Sequence, residues 1–334
     1  MRSNVLRTQK APYADIESVG IPRALLYYRY HILWTTFFEN LGRKVVVSTE
    51  TDRATAEAGD AHAVDECCLA SKIYLGHVQS LAGSCDAVFV PSMANLGRLC
   101  GFCTKFQALP DVVRNTFTSQ NVRMISCLVD IAGAHTSMEQ AFVELGTQFD
   151  AHPRQARHAF HDARRADEKA QRSAAHAQEH LLASSARMPK SRPLTILFVA
   201  HPYVAHDPTM GGLVADALTS LGTTVLYADE TDRGKAYQAS LSFSKTLPWL
   251  ISRELIGATM ILHERIDGIV LVSSFPCGPD SMTNDAILRC VQGKPILNLT
   301  IDGQTGAAGL ETRIESFVDI LRYQKKGGYL HGTS

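Results

Sequence analysis

The chain has 334 residues, 45% hydrophobic and 20% charged, with Lys plus Arg and Asp plus Glu both totalling 33. This is the profile of a soluble globular protein long enough for two ordinary domains, with no overall positive field to draw it to nucleic acid or to an anionic membrane. No run approaches the roughly 18 apolar residues of a membrane span, and residues 1–20 lack the apolar core of a secretory signal, so a cytoplasmic location is expected.

Residues 1–17 read as a flexible tail. A first α/β lobe is expected over 18–131: a helix over 23–41 closed by Gly42, a strand at 44–48, a short helix at 54–59, an amphipathic helix at 69–82, a buried strand at 87–91 and a further strand within 121–129. Residues 132–192 form a helical linker, its later part rich in Arg and His and poor in large apolar side chains, read as one or two solvated helices. His176 and His180 share a helix face there, but the neighbouring arginines oppose a cation. The second lobe, 193–334, opens with the apolar strand 194–200. It continues with a helix from Met210, a strand at 225–227, a helix over 249–265, a strand at 267–273, a helix over 280–292 capped by Asp280 or Ser281, a strand at 295–301 and a last helix over 312–325. Strands alternating with helices predict α/β architecture: two Rossmann-like lobes with parallel sheets and a ligand site in the cleft between their strand ends.

The chemistry-bearing residues are thiols. Eight cysteines in such a protein point to metal ligands or buried residues rather than disulfides. Cys68 begins a helix, where the dipole favours anionic sulfur; Cys103 follows a glycine-bearing loop; Cys277 sits between Pro276 and Gly278 at the end of a buried strand. Three thiols at three sheet-edge loops suit one shared centre, and an iron–sulfur cluster is the leading candidate. Cys100 is separated from Cys103 by two residues and is a candidate fourth ligand; Cys67 is ambiguous; Cys85, Cys127 and Cys290 read as core. His201, Ser274 and Asp302 lie at strand ends of the second lobe and are the catalytic candidates, with Ser273 able to tune a cluster by hydrogen bonding. Asp207 reads as a helix cap, Arg313 as a partner for Asp302, Lys72 as a cation on the Cys68 face and His77 as a packing residue.

Several segments together resemble the 2-hydroxyacyl-CoA dehydratase iron–sulfur subunits, and more closely the stand-alone acyl-CoA dehydratase activase-related proteins (the DUF2229 group). They are Ile21-Pro22-Arg23-Ala24-Leu25, Cys68 to Lys72 with Gly76-His77, Cys103 to Asp111, His201-Pro202-Tyr203 with Asp207-Pro208, Ser273 to Ser281, and Thr300-Ile301-Asp302 with Thr312-Arg313. The resemblance implies a [4Fe-4S] cluster held by Cys68, Cys103 and Cys277 between the lobes, and a low-potential electron supplied by a separate ATP-dependent activase. It also implies a dehydratase- or reductase-type activity on an acyl-CoA or another small molecule. The chain departs from the family pattern where prolines commonly follow the first two cysteines: Leu69-Ala70-Ser71 and Thr104 stand there. A fourth thiolate from Cys100 would instead make a closed electron carrier or redox sensor. A metal-free small-molecule binder is the third reading. Basic residues are scattered, so neither lobe shows a coenzyme A phosphate site.

Overall fold

The computed structural model describes residues 11–120, 122–186, 192–303 and 307–325. In the first lobe β1 (Ser18–Ile21), α1 (Tyr27–Asn40), β2 (Lys44–Val47), α2 (Arg53–His62), α3 (Leu69–Leu81), β3 (Ala87–Phe89), β4 (Ser92–Asn95), α4 (Thr104–Thr116), β5 (Met124–Ile125) and β6 (Leu128–Asp130) follow in order. Next come α5 (Met138–Gln148) and α6 (Pro153–Ala186). The second lobe holds β7 (Thr195–Val199), α7 (Pro202–Ala205), α8 (Leu213–Ser220), β8 (Thr224–Tyr227), α9 (Arg233–Phe243), α10 (Leu250–Leu262), β9 (Gly268–Ser274), α11 (Gly278–Cys290), β10 (Ile296–Ile301) and α12 (Ala307–Lys325).

The strand order is β2-β1-β3-β5 in one main sheet and β8-β7-β9-β10 in the other, every pair parallel, with β4 and β6 forming a small parallel ribbon. Numbered within its own lobe, each main sheet therefore reads 2-1-3-4. The order reverses beside the first strand, and ligands gather at the carboxyl ends of strands there. The central strands β7 and β9 are buried along their whole length, as parallel strands covered on both faces must be.

The likeness of the lobes extends to single residues at near-constant spacing along the chain. Leu41-Gly42 ends α1 and Leu221-Gly222 ends α8, each glycine left-handed, at φ 74° and 72°. Asp52 caps α2 by accepting from the Thr55 amide, and Asp232 caps α9 from the Lys235 amide. A β-carbon on Gly76 would lie 2.0 Å from the Thr55 carbonyl oxygen, and one on Gly257 1.7 Å from that of Ala236. Both helix pairs, α2/α3 and α9/α10, thus depend on a glycine at the same place.

Several expectations are corrected. Leu25 has φ 51°, so residues 23–26 make a turn and α1 starts at Tyr27. The strand expected within 121–129 is two short ones, β5 and β6. Residues 11–17 are packed rather than loose: Ile16 is fully buried and Tyr13 stacks against Phe149. The Arg- and His-rich segment is one 34-residue helix, α6, one of the expected solvated helices, but with a buried edge. Its Ala156, Ala159, Phe160 and Ala163 are buried, and further on Gln178 exchanges hydrogen bonds with the backbone of Tyr227 in the second lobe. Among the described residues no helix is long and apolar enough to cross a membrane.

Two buried polar devices hold the lobes together. Arg29 of α1 makes a two-pronged ion pair with Glu254 of α10, at 2.5 and 2.8 Å, both side chains under 10% exposed. The other is a directed chain. The Arg23 amide donates to Ser48 Oγ, and Ser48 lies 2.9 Å from His77 Nδ1; His77 Nε2 lies 3.0 Å from Thr51 Oγ1, which donates to Asp207 at 2.5 Å. Since the Thr51 proton is committed to Asp207, Nε2 must carry the His77 proton and Nδ1 accepts. Burial, with the Arg23 charge nearby, pulls the His77 pKa down to about 4. His77 is thus a neutral link in an interlobe chain, beyond the packing role expected of it.

Glu254→Ala should cost about 3–5 kcal/mol in urea unfolding, because it strands a buried guanidinium, whereas the double variant Arg29→Met/Glu254→Leu should recover most of that loss. For His77 the folded pKa lies below the ordinary 6.5, so the unfolded chain takes the proton first. Its contribution is complete above pH 6.5 and falls by about 3 kcal/mol as pH drops towards 4. His77→Gln, compared with wild type at pH 7 and pH 4, should lose markedly less stability on acidification.

Candidate functional site

Cys68, Cys103 and Cys277 occupy one structural position three times over: each is the residue immediately before the first turn of a 13-residue helix, α3, α4 and α11 respectively. Each has extended backbone, and none of the three side chains makes a capping hydrogen bond. This corrects the expected cap of α11 from Asp280 or Ser281 to Cys277. Amides of a first helical turn lack partners within the helix and carry the positive end of its dipole, so three such helix starts favour anionic sulfur.

The walls come from both lobes. The Leu69 amide donates to the Phe275 carbonyl at 2.9 Å and the Ala70 amide to Ser274 Oγ at 3.0 Å, so the start of the Cys68 helix is seated on the loop that carries Cys277. Tyr203 packs edge-on to Phe106 and lines a cleft with Cys103. Burial raises its hydroxyl pKa well above the ordinary value, and the nearby Cys277, Asp280, Cys68 and Cys103 each add to the rise. The same closeness acts among the thiols: burial raises Cys103 and Cys277 first, Asp280 then raises Cys277 further, and Cys68 adds to both. Burial therefore outweighs the helix starts at Cys103 and Cys277, which are protonated thiols at neutral pH; a bound cation would displace those protons.

His201 stands just before α7, buried, with its ring stacked on Tyr203 at 5.1 Å and Nδ1 2.5 Å from Asp280 Oδ1. Its ligand atom and those of Cys277 and Asp280 all lie within 4.8 Å of one another. Asp280 is 2% exposed and its Oδ2 has no partner among the described residues. Cys68 Sγ lies 3.1 Å from Ser71 Oγ.

The remaining candidates stand apart. Cys100 lies beside the Tyr237 hydroxyl, whose pKa it raises. Cys67 is half-buried in the turn before Cys68. Ser274 is engaged by Ala70, and Ser273 contacts Thr300 and the Leu299 carbonyl. Asp302 is exposed at the end of β10, and Arg313 donates to the Asn298 carbonyl. Lys72 is paired with Asp60 at 2.7 Å. Asp207 caps the turn that follows it and also accepts from Thr51. Cys127 and Cys85 are half-buried, the Cys127 thiol pushed up to about 12 by desolvation; Cys290, expected in the core, is exposed at the end of α11.

Sequence reasoning passed over Tyr203 and Asp280 as site residues. The available signals were spacing: Asp280 lies one helical turn beyond Cys277, and Tyr203 follows a strand-end histidine through a proline.

A family model described as CoA enzyme activase uncharacterised domain (DUF2229) matches residues 18–230, a span that includes Cys68, Cys103 and His201. No curated protein matches. Solved structures similar to the chain include a Cd-bound periplasmic metal binding protein from Candidatus Liberibacter asiaticus, with 12% identity over 91% of this chain and 99% of that one, at a TM-score of 0.26. Another is the C-terminal domain of glucosamine-fructose-6-phosphate aminotransferase from Francisella tularensis, with 9% identity over 94% and 86%, at 0.27. At such TM-scores nothing about ligand or chemistry transfers.

Ser274→Ala removes the acceptor of the buried Ala70 amide. It should lower stability by about 1–3 kcal/mol in denaturant unfolding, and hydrogen exchange at Ala70 should quicken while that in the middle of α3 stays unchanged.

Proposed function

The chain belongs to the CoA enzyme activase uncharacterised domain family (DUF2229), and from that premise we propose that it holds a [4Fe-4S] cluster on Cys68, Cys103 and Cys277. On this reading it is the cluster-bearing component of a dehydratase or reductase of the 2-hydroxyacyl-CoA type, taking low-potential electrons from a separate ATP-dependent activase. The observation that carries the proposal is the threefold use of one position, a cysteine at the start of a helix, on α3, α4 and α11, with the start of the Cys68 helix bonded to the loop that carries Cys277. Thiolates are the ordinary ligands of such clusters, and first-turn amides are the donors that stabilise an anionic group.

When bound, the cluster would supply one-electron chemistry and, at an iron without thiolate, a Lewis acid. The chain's own residues do the rest. Tyr203 and His201 line the cleft beside Cys103 and bring the proton-bearing groups there. The Asp280 carboxylate lies against His201 Nδ1, and Nε2 is the ring nitrogen left to meet a ligand. The closed electron carrier needs a fourth thiolate; Cys100 does not share the helix-start position of Cys68, Cys103 and Cys277, which favours three.

Protein purified and reconstituted without oxygen should contain about four irons and four sulfides per chain. Alanine at Cys68, Cys103 or Cys277 should remove most of both, while Cys100→Ala should keep the full content and an unchanged electron paramagnetic resonance signal after reduction. A wild-type chain that takes up no iron would overturn the proposal, and loss of the cluster on Cys100→Ala would convert it to the electron-carrier reading.

A further inference from the structure

The helix starts that carry the thiols obey the internal repeat, and the repeat has four of them. Cys103 before α4 corresponds to Cys277 before α11, each following the third strand of its lobe's order. Cys68 before α3 corresponds to the residue before α10, which is Trp249; it too has extended backbone and a side chain that makes no capping hydrogen bond. The correspondence holds in space as well as in order. The Leu69 amide, one residue after Cys68, donates across the cleft to Phe275, two residues before Cys277, at 2.9 Å. The Leu250 amide, one residue after Trp249, donates back to Gly101, two residues before Cys103, at 2.8 Å. These reciprocal bonds are what an approximate two-fold axis through the cleft produces, and that axis relates Cys68 to Trp249 as it relates Cys103 to Cys277.

We infer that Trp249 stands at the fourth corner of the thiol site, where the repeat would otherwise place a fourth ligand, and that its indole sets the size of whatever reaches that corner. The inference rests on the cluster reading above for its chemistry, but its geometry stands on the repeat alone. Trp249 lines a cleft with Gly101, Cys103, His201, Tyr203 and Pro279, and the free space in it is about 10 Å³. That is room for about one water-sized ligand atom. The repeat also accounts for Cys100: three residues before Cys103, it corresponds to Ser274, three before Cys277, and so belongs to the loop register rather than to a ligand corner. A single-atom donor such as a water, a hydroxide or a carbonyl oxygen fits the fourth corner, flanked by the proton-bearing His201 and Tyr203. A bulky ligand does not fit while the indole is there.

The test is Trp249→Cys, with Trp249→Ala beside it. In the reduced, cluster-loaded wild type, cyanide should shift the electron paramagnetic resonance signal by binding the iron that lacks a thiolate. In Trp249→Cys that shift should be lost with iron content unchanged. Trp249→Ala should keep the cyanide response and gain one to benzenethiolate that the wild type lacks. A wild-type cluster indifferent to cyanide, or a Trp249→Cys cluster that responds like the wild type, overturns the inference. If the wild type takes up no iron, the cluster reading fails and the corner is judged on the iron-free chain. There a short bis-maleimide that bridges Cys68 to Cys277 should equally bridge the thiol introduced at position 249 to Cys103, as read by peptide mass spectrometry. Absence of the second bridge overturns the assignment.

Discussion

Each lobe begins one of its helices on a carbonyl of the other. The bonds from Leu69 to Phe275 and from Leu250 to Gly101 fix the distance between the two sheet edges, and the rest of the site depends on that distance. Backbone groups at helix starts need partners, and satisfying them across the cleft rather than within a lobe converts a local capping requirement into the alignment of two domains. The thiols then sit where they do because they occupy the residue just before those starts.

That alignment is reinforced on its flanks by polar groups that burial makes exacting. The Arg29–Glu254 pair and the chain through Ser48, His77, Thr51 and Asp207 each join elements of different lobes, and each is costly to leave half-made. The α6 helix adds a third tie, buried against the first lobe near Phe160 and hydrogen-bonded to the second at Gln178. A cleft held at three places presents a fixed cavity, in keeping with the narrow space beside Trp249.

Much of this was legible in the residues. The alternation of apolar strands with amphipathic helices gave the α/β lobes, and the placement of Cys68, Cys103 and Cys277 after sheet-edge loops follows from strand runs such as Ile269 to Val272. What the sequence could not show is physical rather than accidental. The boundary of α1 turned on a left-handed Leu25, a conformation that side-chain type does not announce. The packing of α6 escaped because its buried edge is largely alanine, which carries little hydropathy signal at helical spacing. Asp280 reads as a cap in the sequence because acidic residues favour helix starts, whereas in the fold its carboxylate turns to His201. Thr305-Gly306, which also belong to the family resemblance, lie outside the described residues.

The repeat has a consequence in arithmetic. A two-fold assembly of identical halves offers its ligands in pairs, so it can surround a centre with four groups or two, never with three. Three and one is open only to halves free to differ, as halves joined in a single polypeptide are. Joining two units of β2-β1-β3-β5 order in one chain, with α6 as the tie, makes parity breakable: one residue at one helix start can be an indole while its counterpart stays a thiol.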